Sequence, residues 1–189
     1  MKFEVEKKFW LTQIEPMIER LSSQGICVAQ PVDQVDRYFA HPAKDFMQTD
    51  EALRLRAAGD QNFITYKGTR IDSTTKTRRE LELPLPDGEF RQEFEQLLLL
   101  LGFKPMMTIH KLRRKAEIDW QGYPIEVSID EIDQLGSFIE IETTSDLEHL
   151  DLAKQALESL AAQLALDRPE RRSYLELMLH HLGPQRLAT

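Results

Sequence analysis

With 189 residues, 41% of them hydrophobic and 30% charged, the chain has the make-up of one globular domain with enough apolar material for a single core. A net charge of −8 excludes an overall basic, nucleic-acid-binding surface, so an anionic partner would need a local basic pocket. The lone Cys27 excludes an internal disulfide, and no zinc-type constellation, apolar secretory core or membrane-length segment is present, which together predict a cytoplasmic protein with neither membrane nor nucleic-acid partners.

The chain opens with Glu4, Glu6 and Lys8 at every second position. In an extended strand these share one face, and Phe3, Val5 and Lys7 share the other. Thr12 is placed to cap a short helix with Pro16 in its first turn, Ile14, Ile18 and Leu21 on one side and Gly25 as its stop. Residues 27–39 read as extended, with Asp36 and Tyr38 on a common face and Pro42 ending the run; residues 41–51 are polar and irregular. Leu53-Arg54-Leu55-Arg56 alternates strictly and turns through Gly59-Asp60 into a strand ending at Lys67-Gly68, so Arg54, Arg56 and Lys67 stand on polar faces. Residues 70–77, rich in Asp, Ser, Thr and Lys, read as a mobile loop. Arg78, Glu80 and Glu82 share the polar face of the next strand, which prolines close.

Asp87 then caps a helix whose Phe90, Phe94, Leu97, Leu98 and Leu101 form an apolar stripe, with Gly102 just past its end. Over 106–120 the polar residues Lys111, Arg113, Lys115, Glu117 and Asp119 have one parity, and Gln121-Gly122 turns the chain back. The return strand sets Glu126, Ser128 and Asp130 against Ile125, Val127 and Ile129, and Phe138-x-Glu140-x-Glu142 alternates again. From 145 to 166 the period becomes helical, through Leu147, Leu150, Ala153, Leu157, Leu160, Ala161 and Leu164. Pro169 breaks that run, and a shorter helix starts at Arg172. No repeat or linker divides the chain, which reads as one domain over 1–183 with a tail at 184–189.

These segments amount to eight strands, enough to close an antiparallel barrel in an α+β fold. Two arrangements satisfy the alternation. Either the apolar faces form the barrel core and the charges are solvated outside, or the charges line an internal channel and helices around Phe94, Leu157 and Leu177 cover an apolar outer face. The apolar stripes of those helices need an apolar sheet face to pack on, which favours the channel. Interior charge on this scale is costly unless the groups pair or a charged ligand completes them. A polyanion held with divalent cations would do so, basic groups taking phosphate oxygens while carboxylates hold Mg²⁺ or Mn²⁺. Alternation is equally the mark of an ordinary half-solvated strand, so the pattern alone leaves both readings open.

The ordered set Glu4-x-Glu6-x-Lys8, Asp36-x-Tyr38-Phe39, Leu53-Arg54-Leu55-Arg56, Lys67-Gly68, Arg78-x-Glu80-x-Glu82, Lys111-x-Arg113 and Phe138-x-Glu140-x-Glu142 resembles the CYTH family, also called triphosphate tunnel metalloenzymes. The resemblance spans most of the chain. It implies an eight-stranded antiparallel β-barrel, a triphosphate tunnel with helices packed on the outside, that binds a triphosphate together with Mg²⁺ or Mn²⁺. Carried over position by position, Glu4, Glu6, Glu140 and Glu142, with Asp130, look like metal ligands, and Arg54, Arg56, Lys67, Arg78, Lys111 and Arg113 look like the triphosphate clamp. Lys8 and Tyr38 stand where the family's water- or hydroxyl-activating groups do, and Asp36, Glu80 and Glu82 would also line the tunnel. Tyr38 reads equally well as a packed strand aromatic. Where the family usually has Lys-Gly-Pro this chain has Lys67-Gly68-Thr69, which leaves the following loop less constrained.

The family includes class IV adenylyl cyclases, thiamine triphosphatases and inorganic triphosphatases. The C-terminal part, from Leu101-Gly102-Phe103 through Leu135-Gly136-Ser137-Phe138 to Arg172-Ser173-Tyr174-Leu175-Glu176-Leu177, resembles the cyclase branch most closely and implies conversion of ATP to cyclic AMP and pyrophosphate. The same cradle would serve hydrolysis of thiamine triphosphate or inorganic triphosphate. A non-catalytic polyphosphate- or nucleotide-binding module is a third reading, against which the many retained acids speak. The partner in each case is ATP or another small triphosphate, and a homodimer is left open.

Overall fold

Period-two alternation governs eight segments, and in the computed structural model each becomes a strand of one antiparallel sheet. The structure describes residues 2–71, 76–86 and 90–183. The strands are β1 (Phe3–Leu11), β2 (Val32–Ala40), β3 (Ala52–Ala58), β4 (Gln61–Lys67), β5 (Glu80–Leu85), β6 (Lys104–Trp120), β7 (Tyr123–Ile132) and β8 (Gly136–Ser145). The described helices are α1 (Glu15–Ser23), α2 (Phe46–Thr49), α3 (Phe90–Leu100), α4 (Leu150–Gln163) and α5 (Tyr174–Leu182).

The sheet runs β1-β8-β7-β6-β2-β3-β4-β5, which leaves β1 and β5 as its edges. It curls until the segment just before β5 reaches β1. Glu4 and Arg78 exchange backbone hydrogen bonds at 3.1 and 3.3 Å, and the Lys76 amide donates to the Glu6 carbonyl at 3.1 Å. Farther along the same edge, the Trp10 amide donates to the Arg168 carbonyl and the Glu170 amide to the Lys8 carbonyl. An edge strand that would otherwise expose its amides is thereby covered along its length.

Registry fixes which charges face inward. Lys8 lies opposite Glu140 and Glu6 opposite Glu142, Arg113 lies opposite Asp130, and Asp36 lies opposite Arg56. Residues directly opposite in an antiparallel ladder point to the same side, so one parity gives a charged interior. The other parity gives an apolar exterior: Val5, Phe9, Ile125, Val127, Ile129, Ile139 and Ile141 pack under Met17 and Leu21 of α1, Ala153, Leu157 and Leu160 of α4, and Leu164 just past its end. The charges-inside arrangement is the one adopted.

Several local expectations are corrected. The cap of α1 is Ile14, not Thr12, with Pro16 in the first turn where its missing N–H costs nothing. Extended pairing starts at Val32 rather than at 27, because Pro31 cannot donate to a ladder. Within the stretch read as irregular, the Asp45 carboxylate caps the single turn of α2 by accepting from the Met47 and Gln48 amides at 3.0 and 3.3 Å. Of the α3 stripe only Leu98 is buried; Phe90, Leu97 and Leu101 remain exposed, while Arg37 on the outer face of β2 pairs with Glu95 at 2.6 Å. Strand β8 continues to Ser145, so α4 starts only at Leu150 and Leu147 is exposed. Asp87, residues 72–75 and the tail at 184–189 lie outside the described residues. Lys76 and Thr77, at the end of the segment read as a mobile loop, are buried against β1. No described helix is long and apolar enough to cross a membrane.

The largest difference concerns α5. Its Tyr174, Leu175, Leu177 and Met178 pack on Tyr38, Ile109, Ile132 and Phe138. These four strand residues share the parity of Asp36, Lys111, Asp130 and Glu140, so this helix lies not on the outer face with α1, α3 and α4 but across one end of the barrel, against its inner wall.

Candidate active site

The interior encloses a cavity of about 350 Å³, within the range of small-molecule sites. Its charges are sorted by wall. Strands β3 and β6 contribute cations, oriented from behind by two aspartates that do not reach the cavity surface. Asp36, 1% exposed, accepts from Arg56 Nε and Nη2 at 2.6 and 2.7 Å and from Arg54 Nη1 at 3.4 Å, with Lys111 Nζ 3.9 Å away. Burial pushes its carboxyl pKa up, but the Arg54 and Arg56 guanidiniums outweigh burial and hold it well below the usual carboxylate range. Asp130, fully buried, does the same on β7: its Oδ1 accepts from Arg113 Nε at 2.6 Å, and its Oδ2 from Arg113 Nη2 and from the Tyr174 hydroxyl at 2.7 Å. Arg113 Nη2 also donates to Glu140 Oε2 at 2.5 Å. Burial, and then the Arg113 charge, lower the Lys111 ammonium to about 7. Preorganised cations of this kind bind an extended anion without reorganising.

The facing wall, from β1 and β8, is acidic. Glu4, Glu6 and Glu142 can each bring one oxygen within 4.8 Å of the others. Burial, then the neighbouring Glu6 and Glu126 carboxylates, push Glu142 up to about 7. Burial likewise raises Glu4 well above its ordinary value, although Lys67 Nζ donates to both of its oxygens at 2.9 and 3.0 Å. Carboxylates that pay this much to share a site are the donor set a hard divalent cation would relieve, and an all-oxygen set suits Mg²⁺ or Mn²⁺. Glu140 lies between the walls, its Oε1 3.8 Å from Lys8 Nζ. Lys67 also pairs with Glu80 at 2.5 Å, and Thr65 donates to Glu82 at 2.8 Å. Arg78 enters from the seam with its Nε buried and unpartnered among the described residues.

The structure therefore brings Glu4, Glu6, Lys8, Tyr38, Arg54, Arg56, Lys67, Arg78, Glu80, Glu82, Lys111, Arg113, Glu140 and Glu142 to the lining of one cavity. It does not bring Asp130 to the acidic cluster, since the carboxylate lies behind the cations, engaged by Arg113 and Tyr174. Tyr38 sits where the α5 plug meets the cavity. The Thr69 hydroxyl, in place of the family's proline, donates to the Thr49 carbonyl at 2.9 Å and ties its loop to the end of α2.

Sequence reasoning passed over Lys76 and Tyr174. Lys76 Nζ donates to Glu6 Oε1 at 2.5 Å, from a segment whose composition resembles a loop. Tyr174 belongs to a helix whose inward direction no periodicity reveals.

If the cationic wall grips an extended anion, Arg54→Ala and Lys111→Ala will weaken tripolyphosphate binding by about tenfold or more each, and orthophosphate binding far less. Calorimetric titration across tri-, di- and monophosphates checks this; equal losses along the series would place the two side chains outside the anion's path.

The CYTH domain pattern matches residues 2–174. A Methanocaldococcus jannaschii protein described as a candidate adenylate cyclase is 38% identical over 177 residues, covering 92% of this chain and 97% of its own. Among solved structures, a Pyrococcus horikoshii protein at 35% identity superposes with a TM-score of 0.82, over 94% of this chain and 98% of its own. A Pyrococcus furiosus protein at 26% identity gives 0.76, over 92% and 99%.

Proposed function

Because the chain belongs to the CYTH family of metal-dependent triphosphate tunnel proteins, we propose that it is a class IV-type adenylyl cyclase, converting ATP to cyclic AMP and pyrophosphate. The observation that carries the reading is the sorting of charge: a cationic wall of Arg54, Arg56, Lys111 and Arg113 faces a carboxylate cluster of Glu4, Glu6 and Glu142. Between such walls a triphosphate meets cations on one side and metal-holding carboxylates on the other. Glu4, Glu6 and Glu142 are the residues we assign to the metal, with Glu140 beside them. When bound, the metal supplies charge neutralisation at the phosphate oxygens and at the departing pyrophosphate.

The protein's own groups do the rest. Arg54, Arg56, Lys111 and Arg113 hold the chain of phosphates in line, and Lys67 and Arg78 extend the grip toward the seam. Lys8, whose Nζ has no hydrogen-bond partner among the described residues, is the group we assign to the attacking 3′-hydroxyl. The cyclase assignment over a triphosphatase draws on the M. jannaschii relative and on the C-terminal likeness described above.

Incubation with ATP and Mn²⁺ is expected to give cyclic AMP and pyrophosphate in equal amounts with little ADP, resolved by ion-exchange chromatography. Orthophosphate with ADP, or rapid phosphate release from thiamine triphosphate or tripolyphosphate with no cyclic product, would replace the cyclase by a triphosphatase. Binding of tripolyphosphate without turnover of any triphosphate would leave a binding module.

A further inference from the structure

Three elements of the cavity meet at one residue contributed by the plug. Tyr174 opens α5, and its place there is over-determined. Ser173 and Glu176 form a reciprocal cap, with the Ser173 amide donating to Glu176 Oε2 at 2.6 Å and the Glu176 amide to Ser173 Oγ at 3.1 Å. Arg70 then ties Glu176 and the Arg171 carbonyl, donating at 2.8 and 3.2 Å. Phe138 packs on the ring edge-on, with centroids 5.1 Å apart.

From that fixed position the side chain engages two groups at once. Its hydroxyl donates to Asp130 Oδ2 at 2.7 Å, on the carboxylate that orients Arg113. Its ring face meets Lys8, whose Nζ stands 3.8 Å from the centroid. Lys8 is 2% exposed, has no hydrogen-bond partner among the described residues, and finds its nearest carboxylate oxygen on Glu140, 3.8 Å away. With no hydrogen bond to fix it, the buried Lys8 side chain is held by the Glu140 carboxylate at 3.8 Å and by two aromatic faces, of which the Tyr174 ring at 3.8 Å is far nearer than the Phe138 ring at 5.7 Å.

On the triphosphate reading above, we propose that Tyr174 is the positioning residue of the site: its ring sets the Lys8 ammonium toward the reacting oxygens, and its hydroxyl, through Asp130, sets Arg113 against the phosphates. It touches no reacting atom and acts chiefly through these two neighbours, the Lys111 Nζ standing farther from its ring, at 5.4 Å from the centroid.

The test uses the full chain and two substitutions that separate ring from hydroxyl. Tyr174→Phe keeps the ring and is expected to hold kcat within about threefold while weakening tripolyphosphate binding by about fivefold, the loss of one hydrogen bond to a charged group's support. Tyr174→Leu removes the ring and is expected to lower kcat by about thirtyfold, the worth of a desolvated cation–π contact, with tripolyphosphate affinity no worse than in the Phe variant. In a cycle of Tyr174→Leu with Lys8→Met, the double variant is expected to turn over within about threefold of Lys8→Met alone, because the ring then has no Lys8 ammonium to hold and only the hydroxyl's link to Asp130 is further lost.

Additive losses in that cycle overturn the proposal, as does wild-type kcat in a folded Tyr174→Leu. If the Leu variant shows no melting transition, the Phe variant decides: wild-type tripolyphosphate affinity, or a kcat as low as that of Lys8→Met, overturns the assignment. A wild-type protein that binds and turns over triphosphate while both Tyr174 variants match it removes the positioning role alone; a wild-type protein that does neither removes the functional reading, and this inference with it.

Discussion

Replacing Glu6 by glutamine is expected to lower metal-dependent turnover by on the order of 10³-fold, the scale seen when a charge-stabilising group is lost from a preorganised site, while shifting the melting temperature by no more than about 3 °C, because relief of the repulsion from Glu140 offsets the charge lost opposite Lys76. The amide keeps an oxygen to accept the Lys76 ammonium, so the pairing of the seam onto β1 survives the change. What it removes is one of the three carboxylates converging in the acidic wall. The remaining Glu4 and Glu142 are both raised by burial, and without the third charge they hold a divalent cation too weakly for the triphosphate to be neutralised at that wall. Wild-type protein is expected to melt higher with Mn²⁺ and tripolyphosphate together than with either alone, and the variant to lose that synergy. Full turnover in excess chelator, or an unchanged synergistic shift in Glu6→Gln, would remove the metal from the acidic wall.

The amount of this architecture written in the sequence follows from geometry. A barrel wall has two faces, so the parity of Glu4, Glu6 and Lys8, or of Lys111 and Arg113, can put a side chain inside or outside and nothing else. The stripe of α4, which needs an apolar partner, favours one parity, and the packing of Val5, Val127, Ile139 and Ile141 under that helix settles it. Depth is what parity does not encode. Asp36 and Asp130 share a parity with Tyr38 and Ser128, yet both carboxylates lie behind guanidiniums rather than on the cavity surface, because Arg56 and Arg113 are long enough to reach over them.

The seam was illegible for a different reason. Lys76 and Thr77 are held beside β1 by pairing to residues some seventy positions earlier, and the polar composition that marks a loop also suits a short strand facing a charged interior. Helix α5 shows the same limit. The stripe of Leu175, Leu177 and Met178 would suit the outer face of the sheet as well as Ile109, Ile132 and Phe138 at its inner end, and only the assembled barrel distinguishes the two.

Asp36→Asn is expected to separate stability from ligand grip in opposite directions. Asp36 is buried, and its charge faces Arg54, Arg56 and Lys111 at once. Removing that charge leaves three buried cations short of their counter-charge, a change that costs about 3–5 kcal/mol when one partner of a buried pair is deleted, or about 10 °C in melting temperature for a chain of this size. The variant should then gain more from tripolyphosphate than the wild type does, because the bound anion supplies the missing negative charge. Turnover should nevertheless fall, since Arg54 and Arg56 lose the bidentate support that aims them.

The pH dependence follows from the same carboxylate. Burial opposes its ionisation, the two guanidiniums more than reverse that, and its folded pKa lies below the unfolded value of about 3.9. Its stabilisation is therefore complete above about pH 5 and is lost progressively as the pH falls below about 4, so the gap in melting temperature between wild type and Asp36→Asn should narrow only in that acid range. A gap that stayed constant down to pH 3, or a variant that melted with the wild type and bound tripolyphosphate no more favourably, would show that the cationic wall is held by some other arrangement than the charge of Asp36.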